Sequence, residues 1–462
     1  MGLTANDREG FAHTIARFAE ACVPPSRAPE VRRAIIERLI DTVGCARGAV
    51  IEEAVRQARA MAVRYSVAAP NAVGASAIGT SQRVTVEAAA FVNGIAARYL
   101  DFNDIYLSKE AVHPSDNIPA ALALAEALGS SGEELCTALA IGYETHCRLA
   151  DSVSTRKGRW DNVVLGAIAA SVMAGSLLKL DTARQAHAIN MAAIGNVALM
   201  ETRVGSLSVW KAAAAAYAAR AGLFAALAAS EGITAPTLSL DGTHGLFAQV
   251  TGVPDTGHFD TPLQTLHLLD THLKAYPSQY FTQTAISAAL ELRLKLEIGE
   301  IRRITVSTFE FGRVAAADGP DKWQPKTRET ADHSMPYCIA IALLDGELTA
   351  AQFEPECLQR ADVRDLLKRI TVDEAPELTA MYPARVPTRI VVEMEDGSEL
   401  QALTEYPLGH SRNPMTPEQL AAKFGALCGL GKETDALFAD LHCIAELDGP
   451  STTALLRRVA TV

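Results

Sequence analysis

The chain has 462 residues, 49% of them hydrophobic and much of that alanine, with a formal net charge of −12. That length is more than one ordinary core holds, so two domains are expected, and an acidic chain without a basic stripe excludes a nucleic-acid role. No apolar run reaches spanning length without charges, and the opening MGLTANDREGFAHTIARF has early acids and no apolar stretch, so neither a membrane span nor a signal peptide is expected.

From residue 8 to about 265 nearly every segment carries helical apolar spacing. Helices are predicted over 8–22, 29–46, 50–66, 84–100, 117–129, 132–152, 161–179, 182–199, 210–230 and 242–250. Turn signals separate them, among them Pro24-Pro25, Gly129-Ser-Ser-Gly132 and Asp241-Gly242. Alanine-rich faces such as AALALAEAL and AAAAAYAARAG allow helices to approach closely. The 8 cysteines are scattered, with no Cys-x-x-Cys. That pattern argues against a structural zinc or a cluster and for a reducing, cytoplasmic compartment. They read as small buried thiols, with Cys338 the one to watch.

One connector stands out. Tyr99 to Pro119, YLDFNDIYLSKEAVHPSDNIP, packs Asp101, Asp104, Lys109, Glu110, His113 and Asp116 between two helical segments. A core has no use for so many ionisable groups, and connectors held by rigid helices are where sites concentrate. Asp116 or Asn117 suits an N-cap and Pro119 a first turn. His113 then sits beside a helix start, whose partial positive charge attracts anions and lowers the imidazole pKa. It is either a proton acceptor or a turn residue; spacing leaves both open.

Three further places put a polar group just ahead of a helix. Lys211 follows Ser206-Leu-Ser-Val-Trp and opens an alanine-rich helix, the wrong end for a cation unless an anion binds there. Lys274-Ala-Tyr-Pro-Ser-Gln279 precedes a helix beginning near Tyr280, with Ser278 as its cap. Arg328-Glu-Thr-Ala-Asp-His-Ser-Met-Pro-Tyr337 precedes CIAIALLDG, with Asp332 or Ser334 capping and His333 near the positive end. Together they describe Lys and His groups aimed from helix starts, an arrangement suited to polycarboxylates. An acidic chain repels such a ligand at long range, so the site must be locally positive.

After about 270 the pattern changes. Ile301-Arg-Arg-Ile-Thr-Val-Ser-Thr-Phe-Glu-Phe311 alternates as a strand, and 389–405 reads as a hairpin about Asp396-Gly397. Helices at 280–296, 334–345 and 361–369 lie between. From Pro417, capped by Thr416, the chain returns to helix. The expected fold is mainly α: a helical domain from both chain ends, 1–268 and 412–462, with an inserted α+β lid domain at 269–411.

These residues resemble a known family. LDFND followed by HPSDN, RETADHSMPY followed by ALLDG, the Lys-x-Tyr-Pro segment and Gly-His-Ser-Arg-Asn-Pro near residue 410 are similar to blocks of the 2-methylcitrate dehydratase family (MmgE/PrpD), which includes cis-aconitate decarboxylase and iminodisuccinate epimerase. The resemblance spans nearly the whole chain, in order. The spacing from Asp101 to His113 is more like the dehydratase branch. The resemblance implies that His113, Asp101, Tyr337, Lys211 and Lys274 are catalytic, with His113 in proton transfer. It points to Asp104, Ser115, Asn162, Arg203, Arg328 and His333 as substrate-binding. It implies a homodimer acting on a small di- or tricarboxylate, with no cofactor and no metal.

Three positions depart from the family pattern. Ile105 stands where Thr is usual, and Asn162 and Phe281 where many members have His. Neither Asn nor Phe can serve as acid or base near neutral pH. The expected activity is dehydration of 2-methylcitrate or a related β-hydroxy polycarboxylate. The alternatives are decarboxylation or epimerisation at the same centre, which the more apolar pocket favours, and a non-catalytic ligand-binding role. His113 and Tyr337 are the candidate proton-handling pair.

Overall fold

The computed structural model describes residues 9–23, 25–69, 73–205, 207–260 and 266–461. The expected helix start at residue 8, Pro24 and Ser206 lie outside the described residues.

The fold is mainly α with a few strands. Most expected helices form within a few residues of their predicted bounds, including Phe11–Ala21, Pro29–Gly48, Val86–Tyr99, Gly132–Ser152 and Trp210–Ser230. Side-chain caps set several starts. Thr85 accepts the Ala88 N–H, Ser131 and Glu134 form a reciprocal capping box, and Thr416 with Gln419 forms another. Three expectations differ. Residues 242–250 hold only a single wide turn, Phe247–Thr251. The segment 182–199 leaves the helix at Ile194, freeing Met200–Arg203 to form a separate short turn. The helix expected from Tyr280 begins as a tight turn, Tyr280–Thr282, capped by Gln279 and not by Ser278, before Gln283–Arg293.

Alanine-rich helix 210–230 packs against 86–99 and 163–177. The approach is close enough that a Cβ at Gly94 would sit 2.7 Å from the Ala216 Cβ, and one at Gly222 only 2.2 Å from the Ala167 carbonyl oxygen. Small residues therefore decide this spacing. It brings Lys211, in the first turn of its helix, beside the C-terminal end of 86–99. This helix is long and apolar enough to cross a membrane by composition, yet 72% of its apolar window is buried inside the protein.

A four-stranded sheet lies in the second half. Its strands are β1 (Ile301–Thr308), β2 (Ile370–Glu374), β3 (Thr388–Met394) and β4 (Glu399–Thr404), in the order β2-β1-β3-β4. β1 and β2 run parallel, Ile304 beside Ile370, and the other pairs are antiparallel, with Val306 opposite Ile390. The β3–β4 hairpin turns at Asp396-Gly397 as expected, Gly397 taking a φ of 82°. β2 is only 5 residues long and is not among the expected strands. β1 ends at Thr308, and the chain turns into helix Glu310–Ala316. Helices Gln283–Arg293 and Met335–Asp345 pack with this sheet into one hydrophobic cluster. A larger cluster joins Val31 through Leu223 to Leu420, Phe424 and Val459 near the other chain end.

The two halves meet at the connector. Ile105 and His272 exchange backbone hydrogen bonds of 2.9 and 2.7 Å. Lys423, from the helix Pro417–Cys428, donates to the carbonyls of Phe102 (2.8 Å) and Lys274 (2.9 Å) and pairs with Asp41 at 2.6 Å. The segments carrying Asp101 and Lys274 are thereby stapled to one another.

Candidate active site

Asp101 is the hub. It follows helix 86–99 at the position where a chain usually turns left-handed, and its φ is 49°. Glycine is the common choice there. An aspartate at that place gives up glycine's ease for a carboxylate aimed inward. The Arg98 guanidinium, one helical turn back, binds it directly. Lys274 Nζ donates to its backbone oxygen at 2.7 Å and its Oδ1 at 2.9 Å, and Lys211 Nζ lies 3.2 Å from Oδ2. Burial opposes ionisation of Asp101, but Arg98, Lys211 and Lys274 outweigh it and hold the carboxyl well below its usual range. Burial lowers Lys274 to about 8, with Asp101 pulling the other way.

His113 stands at the head of the tight turn Pro114–Asn117, ahead of helix Ile118–Leu128. Its Nδ1 lies 2.5 Å from the Asp104 carbonyl oxygen, which can only accept, so Nδ1 carries the proton. Its Nε2 then accepts from Arg98 Nη2 at 2.9 Å. Burial, Arg98 and Lys274 hold it neutral, far below the ordinary imidazole range. The expected side-chain caps are absent: Asp116 Oδ1 instead accepts from Asn103 at 3.1 Å and lies 3.6 Å from Arg98 Nε. Burial raises Asp116 to about 6.

His333 approaches from the other half. Ser334 caps helix Met335–Asp345, and Asp332 binds His333 Nδ1. Its Nε2 lies 3.6 Å from Asp101 Oδ2. Burial and Lys211 lower it to about 4, so it too is neutral.

These groups face a cavity of about 330 Å³, lined by Arg98, Asp101, His113, Lys274 and His333 on its floor. Arg203, paired with Asp161 at 3.0 Å, and Arg156, paired with Glu110 at 3.3 Å, stand along it. Asn162 also lines it and donates to the Ala111 carbonyl. The apolar part of the lining includes Ile105, Phe281, Phe311 and Ala315.

Of the residues singled out from sequence, Asp101, His113, Lys274, His333, Asn162 and Arg203 come together on this cavity. Lys211 is buried just beneath, reaching it through Asp101 and, at 4.0 Å, Asp332. Asp104 and Ser115 form a layer under His113: the Ser115 N–H donates to Asp104 Oδ1 at 3.1 Å, and neither lines the cavity. Tyr337 and Arg328 are elsewhere. The Tyr337 hydroxyl donates to the Gln352 carbonyl at 2.5 Å and its ring faces a different hollow beside Trp323. Helical phase turns Tyr337 away, since it lies in the first turn after a cap that leaves His333 facing the cavity. Arg328 lies over the Tyr99 and Phe353 rings and donates to the Ala350 carbonyl. Cys338 is buried, its thiol directed to the Ala331 carbonyl.

Several cavity residues went unread in the sequence, Arg156, Arg98 and Tyr280 among them. Arg98 sits mid-pattern in AARYLD, where its spacing of three from Asp101 was the available signal. Tyr280 read only as a helix start. It is buried, lines the cavity, and its hydroxyl has no hydrogen-bond partner among the described residues. Burial keeps that hydroxyl protonated far above neutral pH.

Asp101, Asp332 and His333 bring three ligand-type atoms within 4.8 Å of one another. The fit to a metal ion is poor, because Arg98, Lys211 and Lys274 already surround Asp101 and repel a further cation.

Residues 13–258 match the MmgE/PrpD N-terminal domain and residues 276–442 the MmgE/PrpD C-terminal domain. The chain is 31% identical over 400 residues to a 2-methylcitrate dehydratase of Cupriavidus necator and 29% identical over 401 residues to one of Salmonella typhimurium, each alignment covering 81% of both proteins. It is 27% identical over 354 residues to a cis-aconitate decarboxylase of Mus musculus, covering 73% of this chain and 71% of that one.

Proposed function

This chain belongs to the MmgE/PrpD family, and from that premise we propose that it is a metal-independent hydro-lyase dehydrating 2-methylcitrate or a related β-hydroxy di- or tricarboxylate. The observation that carries this reading is the convergence of Lys274, Asp101 and two neutral histidines on one cavity. Relatives named 2-methylcitrate dehydratase support the reaction class.

One substrate carboxylate meets Lys274, and the positive field of Arg203 and Arg156 draws a second. Fixed cations stabilise the enolate-like charge that develops when the α proton leaves, usually the larger catalytic term. His113 takes that proton at Nε2. In the free protein Arg98 occupies Nε2; an arriving carboxylate competes for Arg98, and its negative charge raises the basicity of the imidazole. The C–O bond breaks as the C=C bond forms, and the hydroxyl, hydrogen-bonded by Tyr280, leaves as water on taking the proton back from the His113 imidazolium, which returns to its neutral form. Tyr280 takes the place first given to Tyr337. Lys211 acts through Asp101 and is a positioning residue, whereas Arg98, on the cavity floor, holds Asp101 and also meets the arriving carboxylate. His333, held by Asp332, orients the substrate.

The test is incubation with 2-methylcitrate, following ultraviolet absorbance of the unsaturated product beside NMR for deuterium uptake. Absorbance growth supports dehydration. The second reading, decarboxylation or epimerisation at the same centre, is favoured by the apolar side of the cavity at Ile105 and Phe281; it predicts deuterium exchange without dehydration.

The two separate hydrophobic clusters support dividing the chain into a helical domain of 1–268 with 412–462 and an α+β lid of 269–411. A homodimer is proposed on the same footing, since closed two-fold pairs are the commonest assembly. Trp210, Tyr217 and Phe224, exposed at seven-residue intervals on one helix, would be covered by a second copy. Light scattering of the wild type and of Phe224→Asp checks it.

A further inference from the structure

The apolar side of the cavity has no role in the chemistry above. Phe281 is held edge-on by Phe309 (5.4 Å), Phe311 (4.9 Å) and Tyr382 (6.0 Å), so it cannot swing aside. Ile105 is fixed by its paired backbone bonds to His272. The Arg156 guanidinium lies over the Phe311 ring at 4.2 Å while its side chain is tethered to Glu110, so the ring is clamped from a second direction. This surface exists before any ligand arrives.

It is also incompletely covered. Val204 and Val314, both lining the cavity, are 55% and 44% exposed. Val204 comes from the loop after Met200–Arg203, and Val314 from helix Glu310–Ala316, so apolar groups from both halves of the chain border one space. The side chains of Ile105, Phe281, Phe311, Val204 and Val314 offer no hydrogen-bond donor or acceptor. A carboxylate or hydroxyl placed among them would find no partner in these side chains, and Arg156 over the Phe311 ring is already paired with Glu110, whereas hydrocarbon placed there would gain.

We propose that the substrate carries an apolar substituent longer than methyl, seated on Phe281, Phe311, Ile105, Val204 and Val314, while its carboxylates engage the charged floor. This rests on the carboxylate reading above, and names which member of that class the cavity takes. The floor selects a carboxylate; the wall selects the hydrocarbon arm beside it.

The test uses the full-length protein and a homologous series of 2-methyl-, 2-ethyl- and 2-propylcitrate. Dissociation constants are measured by calorimetry and turnover by product absorbance with deuterium exchange. Affinity is expected to rise about fourfold with each added methylene, from ~0.8 kcal/mol per buried CH₂. Phe311→Ser should flatten that dependence. Affinity that is flat, falling or undetectable along the series overturns the inference, whatever the turnover. A rising series with neither dehydration nor exchange overturns the proposed reaction and leaves the apolar subsite standing.

Discussion

The two sides of the cavity are built on opposite principles. The floor is held by charge. Asp101 is surrounded by Arg98, Lys211 and Lys274, and each of these is placed by a different segment of chain. The wall is held by shape, with aromatic rings meeting edge to face. A buried charge network answers sharply to the loss of one member, because the partner left behind is desolvated and unpaired. A packed wall answers by degrees, in proportion to the hydrocarbon removed. The floor should therefore govern whether the reaction occurs, and the wall which substrate undergoes it.

The sharpest way to break that contrast is His113. His113→Ala is expected to lower kcat by about 10²-fold or more, the range for a general acid–base, while calorimetric ligand affinity stays within a few-fold. His333→Ala, which also frees Asp332, should lower both activity and thermal stability. A His113 variant retaining more than a tenth of wild-type kcat would return proton transfer to another group.

Next come the lysines. Lys274→Met and Lys211→Met should each lower kcat/KM by about tenfold or more, the scale of a lost charge-assisted hydrogen bond. Lys211 does not touch the cavity, so its loss should also appear as reduced stability on denaturant unfolding, up to ~3–5 kcal/mol for breaking a buried ion pair. Near-wild-type behaviour of both variants would remove the charged floor from the argument.

The pH profile sharpens the same point. The Lys274 pKa is lowered from 10.5 to about 8 in the folded protein. The charged form is present below that value and lost above it, so kcat/KM should fall as pH rises through about 8. Lys274→Arg should push that limb upward, since guanidinium stays protonated. The effect on stability has the opposite sign. Between about 8 and 10.5 the unfolded lysine holds its proton while the folded one has released it, so this group adds stability as pH rises across that window.

The smallest effects are expected at the two tyrosines. Tyr280→Phe removes one hydroxyl from the cavity and should lower kcat by about twofold to tenfold, equivalent to ~0.5–1.5 kcal/mol for a hydrogen bond. Tyr337→Phe should leave activity within about twofold and cost ~1 kcal/mol of stability through the lost bond to Gln352. Reversal of that order would restore Tyr337 to the site.

Much of the molecule was legible in the chain itself. Helical periodicity, alanine-rich faces and capping residues such as Thr416 act within a few residues of one another, so helices such as 86–99 and 210–230 could be read directly. The charged connector could be read for the same reason, because ionisable groups between two apolar segments are conspicuous in one dimension. It singled out Asp101 and His113, and polar groups ahead of three other helix starts singled out Lys211, Lys274 and His333. Tertiary structure decided which of these share a cavity. Asp101 and Lys274 are 173 positions apart and meet because the connector pairs with the segment at His272 and Lys423 staples the two together. Tyr337 and His333 lie four positions apart, yet helix phase sends one away from the cavity and leaves the other facing it. Arg98 is hidden in an ordinary helical pattern, and Tyr280 carries no local mark of its unpartnered hydroxyl. Local order follows from near neighbours; the company a buried charge keeps depends on segments that sequence places far away.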